Sequence, residues 1–216
     1  MTPIRRTDGP ALLLMGGGIE SSALAYAGIA TAGLVINYGQ TPADGERRAA
    51  HAVGRAVGIA VHDVTVDARA VGSGLLATGP TGHRAAQRAH ENGTDHGPSP
   101  EWWPFRNQLL VTIAAAWAHG RGFTEVLLGS VRGDADRHVD GSSAFYDALD
   151  TVLSLQEGNL RVSAPAAHLS SEELIRQTNT PMSILGYTHS CHIANRACGR
   201  CPGCFKAEQL FQARDT

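Results

Sequence analysis

Lysine is almost missing from this chain of 216 residues: Lys206 is the only one, and every other basic residue is Arg. A Walker loop needs its lysine beside the glycines, so the glycine-rich turn near the N-terminus has none to offer, and any cationic clamp on a phosphate is expected to be Arg. Cysteine is absent outside a single short stretch, from Cys191 to Cys204. A disulfide framework ties distant segments together, so this clustering points to a local metal site. Long apolar runs are also lacking. The longest, Leu109 to Trp117, is about half of what a membrane-spanning helix needs, and the N-terminal MTPIRRTDG has no signal-peptide core. Charge of one sign is not in excess: 18 basic against 20 acidic residues give a net charge of −2. No basic run is available to neutralise a phosphate backbone, which argues against extended nucleic-acid binding. These absences together predict a cytoplasmic protein with no membrane contact.

What is present is a repeated theme of short apolar runs followed by helix-length amphipathic segments, the pattern of a parallel sheet covered by helices. Strands are expected at 11–15, 34–38, 61–66 and 125–129. Helices are expected from Ser21 to Ala32, Glu46 to Val57, Asn107 to His119 and Ser142 to Leu155. Ser170 and Glu173 form a capping-box pattern that starts a further helix toward Gln177. The Gly-, Pro- and His-rich stretch 72–101 shows neither period and reads as a long loop, either a lid or a tolerated insertion. Its histidines, His83, His90 and His96, are expected to be solvated. The predicted architecture is a Rossmann-like, doubly wound parallel α/β domain over 1–186, followed by a metal-binding segment over 187–216.

Two motifs carry chemistry. Gly16, Gly17, Gly18, Ile19, Glu20, Ser21 and Ser22 lie between a predicted strand and a predicted helix, where backbone N–H groups at a helix start face an anion. Such a cluster is either a phosphate site or a tight structural turn. The dinucleotide fingerprint G-x-G-x-x-G fails at Ser21. Cys191, Cys198, Cys201 and Cys204 are spaced C-x6-C-x2-C-x2-C, with Gly199, Pro202 and Gly203 at the turns. Four thiolates suit tetrahedral Zn²⁺ and leave no position for water, which makes the ion structural. A redox C-x-x-C pair would not need four members.

The glycine turn resembles the S-G-G-x-D-S pyrophosphate loop of the N-type ATP pyrophosphatases, with Gly16 in place of its Ser and Glu20 in place of its Asp. Combined with the C-terminal S-C-H-x5-C-G-x-C-x2-C segment, it is similar to the 7-cyano-7-deazaguanine synthase (QueC) family. Asn37-Tyr38-Gly39-Gln40 with Glu46, Pro104-Phe105-Arg106-Asn107 and Leu128-Gly129 resemble further elements of that family. Its Y-P-D-C-R-type substrate segment is replaced by Asp134, Asp136 and Asp140-Gly141-Ser142, and its Thr-Lys by Ser170-Ser171. The resemblance implies a ligase that adenylates 7-carboxy-7-deazaguanine with ATP and Mg²⁺, lets ammonia displace AMP to give an amide, and dehydrates the amide to the nitrile with a second ATP.

Carried over by resemblance, residues 16–22 hold pyrophosphate, with Glu20, Ser21 and Arg106 catalytic. Tyr38, Gln40, Asn107 and Gly129 complete the nucleotide pocket. Two plainer roles remain open, Arg106 as a structural cap and Tyr38 as a core aromatic. The departures at Gly16, Glu20 and 134–142 also motivate two other functions. One is a ligase of a bacterial defence operon that stops at the amide and joins the deazaguanine to a protein amine. The other is an inactive nucleotide-binding module that uses the metal knuckle for partner contacts. A homodimer is left open.

Overall fold

The computed structural model describes residues 4, 7–79 and 99–212. Its centre is a five-stranded sheet of β1 (Ala11–Leu14), β2 (Ala32–Asn37), β3 (Ala60–Thr65), β4 (Glu125–Leu127) and β5 (Arg161–Ser163). The strand order is β3-β2-β1-β4-β5, and every neighbouring pair is parallel. The helices are α1 (Ile19–Tyr26), α2 (Ala43–Val57), α3 (74–79), α4 (Arg106–Ala118), α5 (Ser143–Ser154), α6 (Ser171–Thr178), α7 (Met182–Leu185) and α8 (Pro202–Gln212). Parallel strands require crossovers, and the crossovers here put helices on both faces.

The strand pleat divides the core accordingly. Leu12, Leu34 and Ile36 pack with Val111 and Ala114 of α4 and with Tyr146 and Leu149 of α5. Leu13, Met15 and Val35 point the other way, against Leu24 of α1, Val53 of α2 and Leu174 of α6. Both sides of the central strands are therefore buried, which is why they read as unbroken apolar runs. This is the predicted doubly wound α/β fold. Helices α1 and α2 on one face and α4 on the other reverse the winding direction between β1 and β4, so a crevice opens at the carboxyl ends of those two strands.

The expected elements all form, with shifted ends. Helix α1 begins at Ile19, whose side chain is buried against Ile175, Leu185 and Leu210, and it ends at Tyr26, just before a turn with Gly28 at φ 67°. Ser170 and Glu173 make both bonds of the expected capping box at the start of α6. The stretch 72–101 is not wholly loop: 74–79 is helical, because Leu75 buries against the cysteine cluster and Leu76 against the main core. His83, His90 and His96 lie outside the described residues. Strand β5 and helices α7 and α8 were not expected. Three residues of β5 and four of α7 are too short for a period to show.

Gly17 corrects the expectation that every glycine of the turn admits a phosphate. It adopts φ 68°, and a Cβ there would stand 2.6 Å from the Ala49 Cβ and 2.7 Å from the Glu46 carbonyl oxygen. It is the contact through which the turn packs on α2. Gly16, by contrast, has nothing within 4 Å of a built Cβ. We therefore expect Gly17→Val to cost about 2–4 kcal/mol of folding stability, from left-handed strain and overpacking, and Gly16→Ala to cost less than about 1 kcal/mol. Urea midpoints of the two variants would decide it; equal midpoints would contradict the assignment.

Candidate active site and metal centre

The crevice at the strand ends is a cavity of about 320 Å³. Its floor is Leu14 at the end of β1 and Met15 beyond it, Ile36 of β2 and Tyr38 beyond it, and Leu128 and Gly129 after β4. Its rim is the glycine turn, where Gly16, Gly18, Glu20 and Ser21 line the opening. Gly18 is the N-cap of α1 and makes no side-chain cap, so the first N–H groups of the helix are left for another acceptor. A built Cβ on Gly18 would meet only the Glu20 carboxylate, at 3.9 Å. The backbone of the turn is thus open to close approach at Gly16 and Gly18. A larger cavity of about 560 Å³ lies by the outer strand, among Glu125, Asp150 and Arg161, and contains none of the motif residues.

Four nominated residues do not reach the cavity. Gly17 packs on α2, and Ile19 is buried with Leu185 and Leu210. The Ser22 hydroxyl donates to the Gly18 carbonyl at 2.7 Å. Gln40 is turned inward, accepting from the Tyr38 N–H at 2.8 Å and donating to Glu46 at 2.7 Å. It fixes the chain after β2 and is not itself a wall of the pocket.

The remaining nominated residues do meet there. Tyr38 is buried edge-to-face on Trp103 at 4.8 Å between centroids and lines the cavity together with Arg106. Burial, reinforced by Glu46, drives the Tyr38 pKa up, so the phenol stays protonated. Burial likewise raises the Glu46 carboxyl against the opposing effects of Gln40 and Arg106. Asn107 lines the cavity and donates to the Asp140 carbonyl at 2.7 Å, tying α4 to the 139–141 turn. Gly129 is a second close-approach glycine: a Cβ would lie 2.8 Å from the Ser21 nitrogen.

The cation at the rim is the principal correction. Lys206, 186 residues downstream of Glu20 in sequence, sits with its Nζ 2.7 Å from the Glu20 Oε1 and lines the same cavity as Gly16 and Gly18. The Ser171 hydroxyl donates to the same Glu20 oxygen at 2.7 Å. Burial pushes the Glu20 carboxyl up, but Lys206 and Ser171 outweigh it and the net direction is down. Burial pulls Lys206 down and Glu20 more than reverses it. Both groups are therefore charged. The site has a lysine beside its glycines after all, supplied by the fold and not by the local sequence.

Lys206 is delivered by the cysteine segment. The Cys198–Cys204 and Cys191–Cys201 Sγ pairs are 3.8 and 3.9 Å apart, and all four sulfurs lie within 4.8 Å of one another. A tetrahedron with metal–sulfur bonds of about 2.3 Å has edges of about 3.8 Å, so the donor set fits an ion such as zinc. The His192 N–H donates to the Cys201 Sγ at 3.4 Å, a contact that stabilises thiolate charge. The same segment braces the turn, with the His189 N–H on the Gly17 carbonyl at 2.8 Å. His189 and His192 both line the cavity. Burial lowers the pKa of each, that of His192 to about 4, so both imidazoles are neutral near pH 7.

Sequence reasoning also missed Glu101. It is buried, with its Oε1 engaged by Arg137 and by His138 at 3.4 Å. Burial alone would raise its pKa, but His138 and Arg137 hold it down to about 2. An acidic residue immediately before Trp102 and Trp103 was the available signal.

The chain has relatives among known proteins. The family model described as "Queuosine biosynthesis protein QueC" matches residues 10–215. A 7-cyano-7-deazaguanine synthase from Azoarcus sp. is 31% identical, over 96% of this chain and 94% of that protein. One from Methanospirillum hungatei is 29% identical over 94% of each. Among solved structures, a predicted subunit of tRNA methyltransferase from Methanocaldococcus jannaschii superposes with a TM-score of 0.46 at 17% identity, covering 79% of this chain and 74% of that one.

Two outcomes are expected from this geometry. Freshly purified, reduced protein should carry one thiolate-bound metal ion per chain, and Cys201→Ser should lose it together with stability, because metal binding is coupled to folding. Elemental analysis giving less than about half an equivalent would contradict the site. Glu101 has a depressed folded-state pKa, so its stabilisation is present above its ordinary value of 4.5 and is lost as pH falls toward about 2. The stability gap between wild type and Glu101→Gln, on the order of 3 kcal/mol at pH 7, should shrink steadily below about pH 4.5 in urea titrations. A gap unchanged at pH 3 would refute this.

Proposed function

The chain belongs to the QueC family of queuosine-biosynthesis proteins, and from that premise we propose that it uses ATP to activate the carboxylate of 7-carboxy-7-deazaguanine for attack by nitrogen. A carboxylate is a poor electrophile until one of its oxygens is joined to phosphorus as an acyl-phosphate anhydride. In the proposed first step that oxygen attacks the α-phosphorus of ATP and pyrophosphate leaves. Ammonia then adds to the carbonyl carbon and AMP departs, giving the amide. A second adenylation, on the amide oxygen, lets AMP leave with that oxygen and yields the nitrile, 7-cyano-7-deazaguanine. Mg²⁺, arriving with the nucleotide, would supply countercharge to the triphosphate.

The observation that carries this reading is the pairing of an open, uncapped helix start, with Gly16 and Gly18 facing open space, with two cations, Lys206 and Arg106, that line the same cavity. Backbone N–H groups and fixed cations suit a pyrophosphate leaving group, whose charge grows as the bond breaks. Glu20 is reassigned in this account. Bound to Lys206 and Ser171, it positions the lysine and does not itself meet substrate. Ser21 and Arg106 keep the roles of phosphate contacts. The cysteine cluster, holding zinc, keeps Lys206 in place without taking part in the chemistry. A cytoplasmic setting goes with the reading, since ATP and a small acid are its substrates.

With ATP, 7-carboxy-7-deazaguanine and ammonia, the protein should release AMP and pyrophosphate, not ADP and phosphate, and only when the acid is present. Lys206→Met should lower kcat/KM for AMP release about 10²- to 10³-fold, with metal content intact. Mass spectrometry separates the remaining possibilities. A deazaguanine adduct on a protein acceptor, with no nitrile, would replace the second half of the scheme by amide joining. ATP binding without AMP release would reduce the protein to a nucleotide-binding module.

A further inference from the structure

Next to the nucleotide cavity is a second compartment of about 170 Å³, which shares Arg106, His192 and Lys206 with it and ends on Glu101. Glu101 is only 4% exposed. Its Oε1 is taken by Arg137 and His138, whereas Oε2 is buried with no hydrogen-bond partner among the described residues. His192, on the wall of the same compartment, has a buried Nδ1 in the same state. Native proteins rarely leave a buried carboxylate oxygen unpaired, because the group has lost water without replacement. Two such atoms on one small compartment mark the place where a ligand completes the bonding.

The charge balance says what kind of ligand. Arg106, Arg137 and Lys206 line the compartment against Glu101 and Asp134, so no negative charge is left over to attract an ammonium ion. A neutral N–H donor answers the free Glu101 oxygen without adding a cation. The acid substrate has both features needed: a carboxylate for the shared cationic wall, and a 2-aminopyrimidin-4-one edge that presents N1–H and 2-NH₂ side by side. We propose that Glu101 is the specificity-determining acceptor for that edge, with Arg137 and His138 as the residues that position its carboxylate. The inference rests on the deazaguanine-acid reading above. Within it, it assigns the heterocycle to the 170 Å³ compartment and the triphosphate to the glycine rim.

The test uses metal-loaded protein, a non-hydrolysable ATP analogue, and calorimetric titration of 7-carboxy-7-deazaguanine or its analogue lacking the 2-amino group. Wild type should bind the analogue at least about tenfold more weakly, since a site built for an N–H donor rejects a ligand without it. Glu101→Gln should weaken the acid by a similar factor, weaken the analogue much less, and leave nucleotide affinity unchanged. Equal losses for both ligands would overturn the assignment. The wild-type comparison decides the matter even if Glu101→Gln fails to fold, because equal affinity for the two ligands removes the proposal. If wild type forms AMP with the acid yet does not discriminate, the functional reading stands and only this inference falls; if it binds no acid, both fall.

Discussion

The Glu20–Lys206 ion pair is the interaction on which the site depends. It joins the first turn of α1 to α8 across nearly the whole length of the chain, and Ser171 at the start of α6 ties a third element to the same oxygen. The Glu20 side chain is 17% exposed and that of Lys206 40%, so removing the lysine would strand a mostly buried carboxylate, which costs more than an exposed ion pair contributes. Glu20 is also favoured where it stands because a carboxylate near a helix N-terminus interacts well with the helix dipole. The cysteine cluster is upstream of all this. It fixes the start of α8 at Cys201 and Cys204, and Lys206 is then two residues along a helix whose direction is already set. The cysteine segment and the crevice are therefore one energetic unit.

The glycines of the turn divide between two physical roles that look the same in sequence. Gly17 and Gly129 allow layers to approach: one lets the turn sit on α2, the other lets the end of β4 sit under the start of α1. Gly16 and Gly18 face open space. The first pair holds the crevice at its width, and the second leaves its backbone accessible. A phosphate cradle needs both.

Much of the fold was legible because its signals are local. Buried strands are apolar runs, the capping box at Ser170 and Glu173 is a four-residue pattern, and four cysteines at finger-like spacing leave few alternatives. The site was legible only where one motif carried it. Sequence gave no reason to place Lys206 at the glycine rim, since nothing local marks a residue on α8 as facing a turn near residue 17. Gln40 was misplaced for the opposite reason: a polar side chain beside a site looks like a ligand contact until its amide is seen to be used by Tyr38 and Glu46. Glu101 lay in a stretch without periodicity, and only its burial and its unequal use of two oxygens make it conspicuous.

Both cations at the crevice are engaged before any anion arrives. Arg106 lies in the field of Glu46 with its Nε 3.5 Å from the Asn107 side-chain oxygen, and Lys206 is held by Glu20. This keeps the ligand-free crevice from carrying bare buried charge, which would otherwise be expelled by local opening or neutralised by a pKa shift. It also means that an anion entering the crevice would add partners to cations already oriented, with little rotamer freedom left to lose. Such preorganisation favours a group whose charge develops during reaction over one already fully solvated, because the fixed dipoles and cations need not reorganise as the bond breaks. Glu20 therefore serves a crevice of this kind better as a holder of Lys206 than as a ligand of its own. One of its carboxylate oxygens meets both Lys206 and Ser171.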